Sequence, residues 1–105
     1  MALSSPAKGK LVENLVQFKI RGKNYWREGT SEVDFVQIIE NKVVPIESKY
    51  SIEIKQRDLN GLLKFMKKFK VDEGIVVSES DDKNERVHNK NIRFVPLWKW
   101  LLDKG

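Results

Sequence analysis

The chain has 105 residues, with 20 lysines and arginines against 15 aspartates and glutamates, which gives a formal net charge of +5. A chain of this length buries roughly 60–70% of its unfolded surface, so we expect one domain with one modest core. Cysteine is absent and His88 is the single histidine, which excludes disulfide frameworks, zinc ribbons and His-rich metal sites. Neither a membrane-length apolar run nor a signal peptide occurs, so we predict a cytoplasmic protein without membrane contact.

The first half of the chain is predicted to contain one helix followed by strands. Residues 1–8 are expected to be a disordered N-terminus, and residues 9–105 a single domain. Helical spacing over Lys10–Ile20 predicts a helix with one apolar stripe formed by Leu11, Val12, Leu15, Val16 and Phe18. A short strand at Tyr25–Arg27 follows. The segments Glu32–Ile39 and Val43–Tyr50 are rich in β-branched residues, which predicts two longer strands.

The second half returns to helical period in RDLNGLLKFMKKFK, residues 57–70. We expect its inward positions to be Leu59, Leu62, Leu63, Met66 and Phe69, and its lysines to point away. EGIVVS and NIRFV are predicted strands, and PLWKWLLDK a closing helix. The polar stretch Ser78–Asn91 is interpreted as a loop or long hairpin connection. The predicted order is α-β-β-β-α-β-β-α, an α/β fold.

Three charged residues interrupt the predicted hairpin EVDFVQIIENKVVPIESKY. The only polar break, at Asn41–Lys42, predicts a two-residue turn there. That register pairs Glu40 with Val43, Val36 with Glu47 and Asp34 with Lys49. Because side chains alternate along a strand, Asp34, Glu47 and Lys49 are then expected on one face of the sheet.

Two carboxylates beside one lysine allow two interpretations. Aspartate, glutamate and lysine at alternating strand positions are ordinary on a solvated face of a hairpin. A partly covered face would instead require the negative charge to be compensated, and hard oxygen ligands suit Mg²⁺ or Mn²⁺. The second arrangement is typical of metal-assisted phosphodiester hydrolysis.

The pattern of a helix glutamate, a strand aspartate and E-x-K resembles the PD-(D/E)XK, or restriction-endonuclease-like, nuclease superfamily. Five blocks, GKLVENLV, YWREGTSEVDFV, PIESKY, GLLKFMKKF and VPLWKWLL, together resemble one branch. That branch is the domain of unknown function C-terminal to AAA-type ATPase domains in archaeal and bacterial proteins. The likeness runs from Gly9 to Leu102. It implies an α-β-β-β-α-β core with a mixed central sheet flanked by helices, and Mg²⁺- or Mn²⁺-dependent endonuclease activity.

The resemblance also implies roles for individual residues. Asp34 and Glu47 would be metal ligands, and Ser48 would offer its backbone carbonyl to the metal. Lys49 would act on the attacking water, and Glu13 would support the site or hold a second metal. The chain departs from the pattern at Ser48, where the branch prefers an aliphatic residue. No ATPase domain accompanies it, so the chain is interpreted as a standalone domain or a fragment of a longer protein.

The partners predicted are nucleic acid, with DNA favoured, an AAA-type ATPase domain and a second copy of the chain. Phosphate contacts are assigned to Lys10, Arg21, Lys23 and Arg27. Trp98 and Trp100 cannot both face inward on one helix, so one of them is expected to mark an interface. The predicted function is metal-dependent phosphodiester hydrolysis of nucleic acid. The alternative is a non-catalytic DNA-binding or interaction module of an ATPase-linked system.

Overall fold

The computed structural model describes residues 26–29, 31–33, 35–49 and 54–102. The predicted disordered N-terminus and the predicted helix Lys10–Ile20 lie outside these ranges. So do five residues assigned to the site or to nucleic acid, namely Lys10, Glu13, Arg21, Lys23 and Asp34. Those assignments stay predictions.

Seven strands and two α-helices make up the described part of the chain. The strands are β1 (Trp26–Glu28), β2 (Ser31–Val33), β3 (Phe35–Ile39), β4 (Lys42–Lys49), β5 (Glu73–Ser78), β6 (Lys83–Val87) and β7 (Lys90–Pro96). A 3₁₀ turn, Gln56–Leu59, leads into α1 (Asn60–Lys68), and α2 (Leu97–Leu102) follows β7 directly. The predicted strand Glu32–Ile39 is thus divided between β2 and β3.

The architecture is a mixed five-stranded sheet with helices, which confirms the predicted α/β class. The strand order is β3-β4-β5-β7-β6, while β1 and β2 form a separate antiparallel pair. β5 lies at the centre and is parallel to both of its neighbours, β4 and β7. The outer strands β3 and β6 pair antiparallel to β4 and β7. Because parallel neighbours need a crossover, α1 connects β4 to β5 across one face of the sheet.

The turn of the β3–β4 hairpin lies one residue earlier than predicted, which shifts the pairing of the two strands by two residues. Ile39 pairs with Lys42, so the turn residues are Glu40 and Asn41, with φ of 52° and 65°. Two positive φ values define the type I′ turn whose twist matches a hairpin. The predicted pairing of Val36 with Glu47 is therefore wrong, and Val36 faces Pro45. Since the slip is by two residues, the assignment of side chains to faces is unchanged.

β6 lies inside the stretch that was interpreted as a loop. Four of its five residues are exposed, because it forms an outer edge of the sheet. An edge strand of this kind has no apolar alternation for sequence reasoning to detect. The one local signal is Asn89, which shares the β6–β7 turn with His88, at φ of 64° and 51°. Asparagine tolerates this left-handed backbone better than most residues do.

The core consists of two clusters on the two faces of the sheet. Under α1, the buried residues are Val33, Leu59, Leu62, Phe65, Met66, Val76, Ile92 and Phe94. On the opposite face, the buried residues are Phe35, Val44, Ile46, Val77, Val95 and Trp100. Trp98, two positions before Trp100, is 62% exposed, so the two tryptophans indeed do not both face inward.

The prediction that Phe69 points into the core is wrong. Phe69 is 46% exposed, because α1 ends at Lys68 and Lys70 takes a φ of 55°. The amide of Val71 donates to the carbonyl oxygen of Met66 at 2.9 Å, which closes a Schellman-type helix end. Phe69 therefore sits at the cap and outside the helical stripe.

This helix end gives a first testable outcome. Lys70→Gly is expected to raise the free energy of unfolding by about 0.5–1 kcal/mol, because glycine adopts positive φ without a steric penalty. Lys67→Gly makes the same change inside the helix and is expected to lower the free energy of unfolding by about 1 kcal/mol. Urea titrations of both variants measure the difference, and a loss of stability in Lys70→Gly would contradict the proposed cap.

Candidate functional site

Glu47 and Lys49 lie on β4 and project from the same face of the sheet, the face that α1 covers. In the parallel register Glu47 is aligned with Val76, which belongs to the core under α1, and Lys49 is aligned with Ser78. Glu47 is 5% exposed and Lys49 is half-buried. Ser48, between them, is aligned with Val77 and belongs to the opposite face.

The burial of Glu47 bears directly on the two interpretations of the hairpin. A solvated hairpin face would leave this carboxylate in water, but Glu47 is the one buried charged residue among those that the structure describes. Removing a carboxylate from water is costly unless charge or hydrogen bonds compensate it. Fully or nearly buried glutamates are rare, so Glu47 is a candidate functional residue.

The position along the sheet is also informative. Lys49 ends β4, Ser78 ends β5 and Pro96 ends β7, so the carboxyl ends of three parallel strands meet at this edge. Ligands of open α/β sheets bind outside this end of the strands. The sequence did not single out Ser78, which is buried. Its hydroxyl donates to the carbonyl oxygen of Asp81 at 3.1 Å, with the carbonyl oxygen of Val95 at 3.4 Å as the alternative acceptor, which ties the start of the loop to the sheet.

The oxygen atoms at this edge are of the chemical type that a hard divalent cation binds. Carboxylate and backbone carbonyl oxygens are the ligands that Mg²⁺ takes in proteins, usually only one or two carboxylates with several waters. Within the described ranges, no group of three histidine, aspartate or glutamate side chains converges on one point. Glu47 and Ser48 are the predicted ligands that the described part of β4 supplies. Asp34 and Glu13 are outside the described residues.

Among the predicted nucleic-acid contacts, Arg27 is the residue that the structure describes. It is exposed on β1. The lysines of α1 are also exposed, but two of them share one acid. Lys68 bonds to Glu28 Oε2, and Lys64 Nζ lies 3.9 Å from Glu28 Oε1. The hydrogen bond from Lys68 is the largest cause that lowers the pKa of Glu28 below its ordinary value. This pairing matches a solvated helix face for α1.

His88 lies far from this edge of the sheet. It lies in the β6–β7 turn, and β7 starts at Lys90, at the amino end of the parallel strands. Glu47 and Lys49 lie at the other end, roughly 20 Å away at about 3.3 Å per strand residue. No helix of the described chain is long and apolar enough to cross a bilayer.

Comparison with known proteins identifies the family. The model of the domain of unknown function DUF4143 matches residues 8–100, so the chain belongs to that family. DUF4143 domains are found with AAA-type ATPases, which confirms this part of the resemblance. The wider assignment to the PD-(D/E)XK superfamily stays a prediction. No curated protein and no solved structure gave a significant match to the chain.

Proposed function

We propose that this domain hydrolyses phosphodiester bonds of nucleic acid with Mg²⁺ or Mn²⁺, on a restriction-endonuclease-like fold. The observation that carries the proposal is the placement of Glu47. A buried carboxylate lies two residues from a half-buried lysine, on one face, at the carboxyl ends of parallel strands. The crossover from the strand bearing Glu47, through α1, to a parallel strand agrees with the α-β order of that superfamily's core.

Each residue has a distinct role in the proposed reaction. When bound, the divalent cation would supply a water of lowered pKa and neutralise charge at the phosphorus. Glu47, with Asp34 and the Ser48 carbonyl, would hold the cation at the strand end. Lys49 would orient the attacking water and stabilise the negative charge that grows on the phosphoryl oxygens. Glu13 would support this set. DNA is the proposed substrate.

The second candidate is a non-catalytic module that binds DNA or protein for an associated ATPase. The association of DUF4143 domains with AAA-type ATPases favours it, as does the apolar surface of α2. Trp98 and Leu102 are 62% and 74% exposed, which is unusual for two large apolar side chains on one short helix. The two candidates differ in one property, because only the first requires a metal.

Thermal unfolding with and without Mn²⁺ tests the metal site without a substrate. A cation that binds only the folded protein at tenfold excess over Kd stabilises it by about 1.4 kcal/mol, which corresponds to about 5–10 °C in Tm here. Wild type is therefore expected to melt higher in Mn²⁺ than in EDTA. Asp34→Asn should abolish that difference without lowering Tm in EDTA, because it removes one of several like charges.

The matched control is Asp72→Asn, the same chemical change at an acid that lies at the amino end of β5. Asp72 is exposed and pairs with Lys90 at 3.4 Å. This variant should keep the full Mn²⁺ shift. Identical melting curves of the wild type with Mn²⁺ and with EDTA, up to millimolar metal, would refute the metal site and leave the non-catalytic module.

A further inference from the structure

Asp82, Arg93 and Lys99 form an ion cluster that sequence reasoning did not connect. Arg93 Nη2 bonds to Asp82 Oδ1, and Lys99 Nζ lies 3.0 Å from Asp82 Oδ2. The carboxylate of Asp82 thus bridges two cations from β7 and α2. The guanidinium is also fixed from the other side, since Arg93 Nη1 donates to the Phe94 carbonyl oxygen at 2.9 Å.

This cluster borders a groove on the face opposite to Glu47. In the register of β5 and β7, Arg93 is aligned with Ile75, which packs with the cluster around Trp100. The groove has a volume of about 420 Å³. It is lined by Arg93 and Lys99 together with Ile75, Val95, Trp100 and Leu102. The lining therefore combines two cations with apolar side chains, one of them an indole ring.

The charges at this groove are not balanced. Two cations share one carboxylate, and both hold the pKa of Asp82 below its ordinary value, Arg93 through the stronger hydrogen bond. A guanidinium fork beside an ammonium group is a donor set that suits phosphate, which has more acceptor oxygens and more charge than a carboxylate. Asp82 occupies the place where an external anion would meet both cations.

We propose that Arg93 and Lys99 form a phosphate-binding site for a nucleotide unit, with Asp82 as an internal competitor. The apolar wall beside the cations suits the base and sugar attached to that phosphate. The phosphate can belong to a nucleic-acid strand or to a free nucleotide. The first source rests on the proposed function, whereas the site itself lies on the other face of the sheet from Glu47 and Lys49.

Binding measured in EDTA tests this site apart from any metal. The probes are a fluorescent single-stranded oligodeoxynucleotide, a deoxynucleoside monophosphate and inorganic phosphate. Asp82→Asn is expected to bind the oligonucleotide roughly tenfold more tightly, because a competing anion is removed. Arg93→Gln with Lys99→Gln should bind it at least about tenfold more weakly. The magnitude of the slope of log K against log salt should fall by about 0.7, because the two cations neutralise one phosphate of the single strand.

Asp72→Asn is the matched control for Asp82→Asn. Both remove one exposed aspartate that is paired with a basic residue of β7, so the net charge changes equally. Only Asp82→Asn should tighten binding. Arg93 is partly buried, so if the double variant fails to fold, Lys99→Gln alone, at an exposed position, should weaken binding of the oligonucleotide and lower the magnitude of the slope by at most about 0.7.

The probes also identify the source of the phosphate. Binding of the oligonucleotide alone assigns the site to a nucleic-acid strand, and added binding of the monophosphate or inorganic phosphate assigns it to free ligands as well. Equal effects of Asp82→Asn and Asp72→Asn, wild-type binding by Lys99→Gln, or binding of none of the probes would overturn the inference. If the Arg93 and Lys99 variants keep the wild-type salt slope while the wild type keeps its Mn²⁺ shift in Tm, the phosphate site is refuted and the proposed function is unaffected.

Discussion

Lys49→Ala is expected to slow metal-dependent cleavage of DNA by about 10²–10⁴-fold, the usual contribution of a positioned group that acts on a water proton. The ammonium group lies on the same face as buried Glu47, two residues further along β4. Because Lys49 is half-buried at a strand end, its truncation should leave the fold intact. Cleavage of supercoiled and single-stranded DNA in Mg²⁺ or Mn²⁺, stopped by EDTA, measures the rate.

The matched control is Lys42→Ala, which removes an exposed lysine from the other end of the same strand. That variant should cleave at the wild-type rate. Lys49→Ala should also keep the Mn²⁺ shift in Tm, because the lysine is not a metal ligand. If Lys49→Ala cleaves as fast as wild type, Lys49 has no role in chemistry. If no nucleic acid is cleaved by wild type, the non-catalytic module becomes the better account.

Leu62→Ala is expected to cost the most stability, about 2–5 kcal/mol of the free energy of unfolding. Leu62 has 0% exposure in the cluster under α1. It packs so closely against the sheet that a Cβ added to Gly74 would lie 3.3 Å from Leu62 Cδ2 and 3.0 Å from Met66 Sδ. The inward side chains of α1 thus already lie against the backbone of β5, and the space vacated by a shorter side chain stays partly empty.

For a domain of this size, that loss lowers Tm by roughly 10–25 °C. Leu102→Ala is the matched control, because Leu102 is 74% exposed on α2 and the same atoms are removed. It should change the free energy of unfolding by less than about 0.5 kcal/mol. If denaturant titrations show equal losses of the free energy of unfolding for the two variants, the contact between α1 and β5 is not the main site of packing.

The β-branched residues of Phe35–Ile39 and Lys42–Lys49 were enough to predict these two strands. Because successive side chains of any strand alternate between its faces, Glu47 and Lys49 could be assigned to one face even though the register was shifted by two residues. The position of the turn could not be deduced, because it depends on Glu40 accepting a positive φ, and no side-chain pattern encodes that. β6 escaped detection for a related reason, since an exposed edge strand carries no apolar period.

The same distinction between local pattern and tertiary packing applies to the functional residues. Glu47 and Lys49 are two residues apart on one strand, so period two is enough to bring them together. Asp82 lies in the loop before β6, Arg93 on β7 and Lys99 on α2, so the three meet only through the pairing of β6 with β7 and the position of α2. No local pattern predicts such a meeting. The exposure of Phe69 likewise depends on where α1 ends, which is decided by the backbone of Lys70.

The central position of β5 has a consequence for the order of folding. β3–β4 and β6–β7 are each closed by a two-residue turn and can form alone, within about 1–10 μs for a hairpin. β5 is connected to the β6–β7 hairpin by the short segment 79–82, but to β4 only through the long segment that contains α1, and it hydrogen-bonds to both β4 and β7. Its insertion requires the loop through α1 to close first, and such non-local pairing limits folding rates. We therefore expect the rate-limiting step to be the joining of two preformed hairpins around β5, with α1 docking in the same event.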